Sequence, residues 1–105
     1  MVSPLEFSGY FKSYSFSMER EFTITNKLGM HARPAAMFVK LANQFQCEIW
    51  VEKDDDSVNG KSIMGLMMLA AGQGTKITIS AEGDDAEQAL EGLGELINSG
   101  FSEED

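Results

Sequence analysis

The chain holds a single histidine, His31, inside the run Leu28-Gly29-Met30-His31-Ala32-Arg33-Pro34-Ala35. An imidazole nitrogen is a competent nucleophile near neutral pH. Two residues on, Arg33 adds a planar, permanently charged donor that suits a phosphate. Gly29 allows a sharp bend ahead of the histidine, and Pro34 fits a first helical turn, where its missing N–H costs nothing. If a helix begins just after His31, its free N–H groups and summed peptide dipoles form an anion site beside the imidazole. Taken alone, a histidine at such a junction is often a plain cap. With the arginine, the bend and the helix start around it, the run suits capture and release of a phosphoryl group. No Walker loop, kinase-type glycine-rich loop or magnesium-binding carboxylate pair accompanies it. Such a run could accept a phosphoryl group from another protein's active site, but it is not equipped to bind ATP.

The elements that must position this run can be read from periodicity. Arg20 to Asn26 alternates, with Phe22 and Ile24 on one face, and Asn26-Lys27-Leu28-Gly29 breaks the strand as a turn. A helix is expected over Ala32–Phe45, burying Ala35, Phe38, Val39, Ala42 and Phe45. A second strand, Cys47–Lys53, points Cys47, Ile49 and Val51 inward and Trp50 outward, and Ser57–Gly60 reads as a short edge strand. Ser62 is placed to cap a short apolar helix, Ile63–Leu69. Lys76–Ala81 alternates again, and a capping-box-like Asp84/Glu87 pair opens a last amphipathic helix that ends at Gly100. Gly92 and Gly94 should each weaken that helix by about 1 kcal/mol relative to Ala. The order β-α-β-β-α-β-α predicts an α+β open-faced sandwich, a four-stranded antiparallel sheet with three helices on one face.

Composition narrows the function classes. The 105 residues allow one small domain, and 43% apolar with 24% charged residues is a folded, soluble mixture. Eight basic against seventeen acidic residues give a net charge of −9, which argues against nucleic-acid or anionic-membrane binding. No window approaches the ~18 apolar residues of a membrane span. Cys47 is the only cysteine, so no internal disulfide forms, and one Cys with one His is too few for a usual zinc site. Asp54-Asp55-Asp56 is contiguous, unlike the alternating ligands of a metal loop. The expectation is a cytoplasmic protein without cofactor or metal. No basic residue follows Lys76, so the end of the chain is acidic and its middle mixed. That acidic stretch is either a solvated helix face or a sign that the less negative middle meets an acidic partner. Residues 1–17 form an aromatic and serine-rich extension with Phe7, Tyr10, Phe11, Tyr14 and Phe16. With one late positive charge and no apolar run it is not a signal peptide. A loose arm, an upstream start, or a segment folded back over Trp50 all fit it. The domain proper is read as residues 18–105.

Two blocks of sequence together resemble a known family. The run around His31 resembles the active-site signature of HPr, the histidine-containing phosphocarrier of the bacterial phosphoenolpyruvate-dependent sugar phosphotransferase system. Val58-Asn59-Gly60-Lys61-Ser62-Ile63-Met64-Gly65-Leu66-Met67 resembles the segment around that family's regulatory serine. The likeness runs from about Met18 to Gly100; the extension departs from the family pattern. The resemblance implies that His31 takes a phosphoryl group on Nδ1 from phosphorylated enzyme I and passes it to IIA domains of sugar permeases. It implies that Arg33 neutralises that phosphate, and that Ser62 is the target of an HPr kinase/phosphorylase. Such a carrier relays phosphoryl groups rather than catalysing a reaction on a substrate of its own.

A docking surface is expected beside His31. The segment Ile63–Leu69 is apolar nearly all round, so some of its side chains must face outward, and flexible methionines suit several unrelated partners. Met67 and Met68 fit core filling at helical spacing. The residues read as docking are Ala32, Ala36, Lys40, Lys61, Ile63, Met64 and Met67, on a monomer. Two alternatives remain: a regulatory paralogue acting in carbon or nitrogen control, and a small-metabolite-sensing domain of the same element order.

Overall fold

The structure, a computed structural model, describes residues 17–103. Strand β1 (Ser17–Thr23) pairs antiparallel with β4 (Lys76–Glu82). β4 pairs in turn with β2 (Glu48–Lys53), and β2 with β3 (Asp56–Asn59), so the sheet order is β1-β4-β2-β3. Helices α1 (Ala32–Ala42), α2 (Ile63–Met68) and α3 (Ala86–Asn98) complete the expected order, followed by a 3-10 turn at Gly100–Ser102. Alternation sends Ile49, Val51, Ile77, Ile79 and Ala81 from the sheet into one core with Phe38, Leu66, Leu90 and Leu93 from the helices. The α+β open-faced sandwich is the observed fold.

Element ends differ from expectation for local reasons. β1 starts three residues early, at Ser17, and gives way at Ile24, whose N–H bonds Thr75 in a loop rather than β4. α1 stops at Ala42 instead of Phe45, because Gln44 and Phe45 donate three residues back, to Leu41 and Ala42, and tighten the chain. β2 begins at Glu48, since the Cys47 N–H is taken by a carboxylate of another element. That carboxylate belongs to Asp85, which replaces Asp84 as the residue capping α3. It makes no side-chain bond to its own helix and instead accepts from the N–H groups of Gln46 (2.8 Å) and Cys47 (2.9 Å). The Gln46 bond first, with those of Cys47, holds its carboxyl below the usual range. Cys47 is buried as expected, and burial, then the hydrogen bond and charge of Asp85, pushes its thiol up to about 11.

The two glycines of α3 separate. A Cβ on Gly94 would lie 2.6 Å from the Phe22 ring, so this glycine lets α3 approach β1. A Cβ on Gly92 would meet Leu41 and Phe45 at 3.7 Å, an ordinary contact, so only Gly92 fits a plain loss of helix propensity. On the open face, Trp50 is 42% exposed. Its direct neighbours on the adjacent strands are Ser80 of β4 and Asn59 of β3. Phe7, Tyr10, Phe11, Tyr14 and Phe16 lie outside the described residues.

Candidate functional site

The site is built on the loop between β1 and α1. Gly29 has φ +69°, and a Cβ there would collide with the carbonyl oxygen of Ala71 and lie 2.7 Å from Gly72 Cα, so both conformation and space demand glycine. The loop is pinned to the chain following α2, with Met30 N–H donating to Ala71 O at 2.9 Å and Gln73 Nε2 to Thr25 O at 3.1 Å. His31 then occupies the N-cap of α1 with extended backbone and no side-chain bond to the helix. The first N–H groups of α1, at Ala32 and Arg33, are left uncapped by the His31 side chain. Both residues are exposed, and Pro34 contributes no donor. A partly exposed imidazole thus stands at the N-terminus of α1, with an exposed arginine two residues on.

The imidazole also has a partner that the sequence reading did not anticipate. His31 Nε2 lies 2.9 Å from Glu103 Oε2, with the histidine side chain 35% and the glutamate 12% exposed. Glu103 Oε1 accepts a hydrogen from Asn26 Nδ2 at 2.9 Å, and Asn26, almost fully buried, donates its other amide hydrogen to Gly29 O at 2.9 Å. The Asn26 bond first, then the His31 bond and the charges of His31 and Arg33, holds the Glu103 carboxyl below its ordinary range. Glu103 reaches the site because Phe101 is buried in the core at φ +58°, just beyond Gly100 at φ +68°. The available signal was Gly100-Phe101: a glycine past a helix end followed by an apolar residue commonly turns the chain back onto that helix.

Ser62 is the N-cap of α2, and its hydroxyl accepts the Gly65 N–H at 3.0 Å. α2 runs from the region of Phe45, where Lys61 Nζ donates to Phe45 O at 2.8 Å, to the loop against Gly29. His31 and Ser62 therefore sit at opposite ends of the α1/α2 pair. Between them, only Leu66 of α2 is buried; Ile63 and Met64 are exposed, and Met67 and Met68, both read as core filling, are 43% and 77% exposed. A six-residue helix with one core position has to leave the rest outside. Leu28, not singled out from sequence, is exposed beside His31 as well. Ala32, Ala36 and Lys40 line one exposed face of α1, at the four-residue spacing of neighbours. Lys61 stands apart, with its ammonium tied to the far end of α1. Among the described residues no group of three or more His, Cys, Asp or Glu could hold a metal ion, and no helix is long and apolar enough to cross a membrane.

The family model described as "PTS HPr component phosphorylation site" matches residues 18–99. The chain belongs to the HPr family. HPr proteins are the phosphocarriers of the phosphotransferase system. The phosphocarrier protein HPr of Neisseria meningitidis serogroup A is 50% identical over 86 residues, covering 82% of this chain and 97% of that protein. The HPr-like protein Crh of Halalkalibacterium halodurans is 51% identical over 76 residues, 72% of this chain and 90% of its own. A crystal structure of HPr-C-His from Thermoanaerobacter tengcongensis superposes with a TM-score of 0.81 at 53% identity, covering 84% of this chain and 99% of that one. The HPr likeness thus spans the sheet, the three helices and both sequence blocks.

Proposed function

We infer that this HPr-family protein is a cytoplasmic, monomeric carrier that accepts a phosphoryl group on His31 from phosphorylated enzyme I and delivers it to IIA domains. The observation that carries the reading is the placement of the lone histidine at the open N-terminus of α1, with Arg33 beside it. Chemically, the Nδ1 lone pair attacks phosphorus, the bond from phosphorus to the donor breaks, and its electron pair leaves with the donor. Arg33 and the free N–H groups of α1 offset the charge of the bound phosphoryl group. Transfer to an acceptor reverses the same steps. No ATP site is involved, and the protein acts as a relay rather than an enzyme.

Docking in this reading uses Ala32, Ala36 and Lys40 on α1 with Ile63, Met64 and Met67 on α2, to which exposure adds Leu28 and Met68. Lys61 contributes charge at the far rim. Ser62 is the site of regulatory phosphorylation by an HPr kinase/phosphorylase, acting on the docking surface rather than on His31. Residues 1–16 precede the carrier domain, whose first strand begins at Ser17. A second reading, a regulatory member of the same family, draws support from the comparable identity to HPr-like Crh. Nothing favours the metabolite-sensing alternative. Incubation with phosphoenolpyruvate and enzyme I should give an acid-labile phosphate on the parent and none on His31→Ala. Addition of IIA domains should then discharge it under the first reading and leave it bound under the second.

A further inference from the structure

Two carboxylate oxygens, one buried amide and one imidazole form a connected chain behind the proposed phosphoryl site. An ionised carboxylate can only accept hydrogen bonds. Glu103 is ionised at neutral pH, so the 2.9 Å contact requires His31 Nε2 to carry the hydrogen. The neutral ring has one N–H, and with it fixed at Nε2 the lone pair lies on Nδ1. Asn26 is the anchor. Both of its amide hydrogens are spent, on Gly29 O and Glu103 Oε1, while its buried Oδ1 has no partner among the described residues. A buried amide with an unmet acceptor is costly to keep, so its orientation toward Glu103 calls for an explanation beyond packing. The turn at Gly100–Ser102 adds a second cost, since Phe101 and Ser102 both hold φ +58°, a region that non-glycine residues rarely adopt. Both expenditures bring one carboxylate to one ring nitrogen.

We propose that Glu103 is a positioning residue for His31: anchored by Asn26, its carboxylate keeps the ring hydrogen on Nε2 and leaves Nδ1 as the attacking atom. This rests on the reading of His31 as the phosphoryl acceptor. As Nδ1 bonds to phosphorus, the ring becomes positively charged while its hydrogen stays on Nε2, and the adjacent carboxylate balances that charge. No proton moves to Glu103. When the phosphoryl group leaves, the electron pair of the N–P bond returns to Nδ1 and the ring is neutral again. The glutamate therefore stabilises the charged ring that exists only while phosphate is bound or in transit.

The test combines ring-nitrogen NMR with transfer kinetics on the full chain. Two-bond proton–nitrogen correlations of neutral His31 should show a single form, with hydrogen on Nε2. Glu103→Ala should give a mixture of both tautomers and slow phosphoryl uptake from enzyme I about three- to fivefold, the range expected for a partly exposed ion pair. Glu103→Gln has one acceptor oxygen for two donors; with Asn26 holding that oxygen, its amide N–H faces the ring and should move the ring hydrogen to Nδ1 while uptake slows. A merely structural role would not move the tautomer. Asn26→Ala should reproduce the Glu103→Ala spectrum; a fold check by circular dichroism separates this from unfolding. Hydrogen on Nδ1 in the parent, or a Glu103→Ala protein with parental tautomer and rate, overturns the proposal. Failure of the parent to take up phosphate would refute the carrier reading, while the tautomer spectra would still decide whether Glu103 sets the ring.

Discussion

A negative charge at Ser62 should slow the encounter with enzyme I without unfolding the protein, and the geometry sets the size of the effect. Ser62 begins a six-residue helix, so at 1.5 Å per residue its hydroxyl lies about 9 Å from the end of the docking face nearest His31. One added unit charge facing one partner carboxylate across about 9 Å of water costs about 0.5 kcal/mol, or about twofold in rate. A phosphate carrying about two charges costs about twice that, or about fivefold. At physiological ionic strength the screening length is about 8 Å, so most of the effect should vanish there. Ser62→Asp keeps an acceptor for the Gly65 N–H and should melt close to the parent. Ser62→Ala loses that 3.0 Å bond, which should cost about 1 kcal/mol, yet its transfer should stay near normal. The assay is the initial rate of labelling from phosphoenolpyruvate through enzyme I at varied carrier concentration, at low and at physiological salt. Ser62→Asp should raise KM at low salt and recover as salt is added. A parental rate at low salt, or a slowing that salt does not relieve, refutes the electrostatic argument.

The other predictions concern packing and titration. Gly92→Ala should raise stability by about 1 kcal/mol through helix propensity, whereas Gly94→Ala should lower it, because its Cβ meets the Phe22 ring at 2.6 Å; urea unfolding of the pair reads both signs. The buried Cys47 thiol should react slowly with alkylating reagents at pH 8. With its folded pKa pushed from 9.0 to about 11, the unfolded chain loses that proton first as pH rises. The resulting stability is present below pH 9 and falls by up to about 3 kcal/mol as pH rises toward 11. That loss should appear as a pH-dependent difference in unfolding free energy between the parent and Cys47→Ala. Deleting residues 1–16 should red-shift Trp50 fluorescence and lower the melting temperature if the aromatic extension covers the open face; an unchanged spectrum and melting temperature would show that it does not.

Sequence periodicity was sufficient where one face of an element is buried. The inward sets Ile49/Val51 and Ile77/Ile79/Ala81, and the Ala35/Phe38/Val39/Ala42 stripe, are all in the core. It was weaker where a distant backbone or side chain decided the outcome. Asp84 reads as the cap of the last helix, whereas Asp85 holds that position and its carboxylate goes to Gln46 and Cys47; Gly94 looks like a defect until Phe22 is placed against it. At the candidate site, His31 and Arg33 at a helix start and Ser62 as a cap were legible, because each follows from the residue type at a local turn. Asn26 and Glu103 were not, since they are 77 residues apart and meet only when Phe101 folds the tail back. Met67 and Met68 were misplaced as core filling because an apolar side chain on a helix one turn and a half long carries no directional signal.

The most direct test of the carrier account is phosphorus NMR of the protein charged by catalytic enzyme I and excess phosphoenolpyruvate, before and after addition of a IIA domain. The account predicts one phosphohistidine signal, assigned to Nδ1 of His31, that disappears on acid treatment and moves to the IIA domain when that domain is added. A protein that stays unlabelled, or that carries its only phosphate as an acid-stable ester, would contradict it.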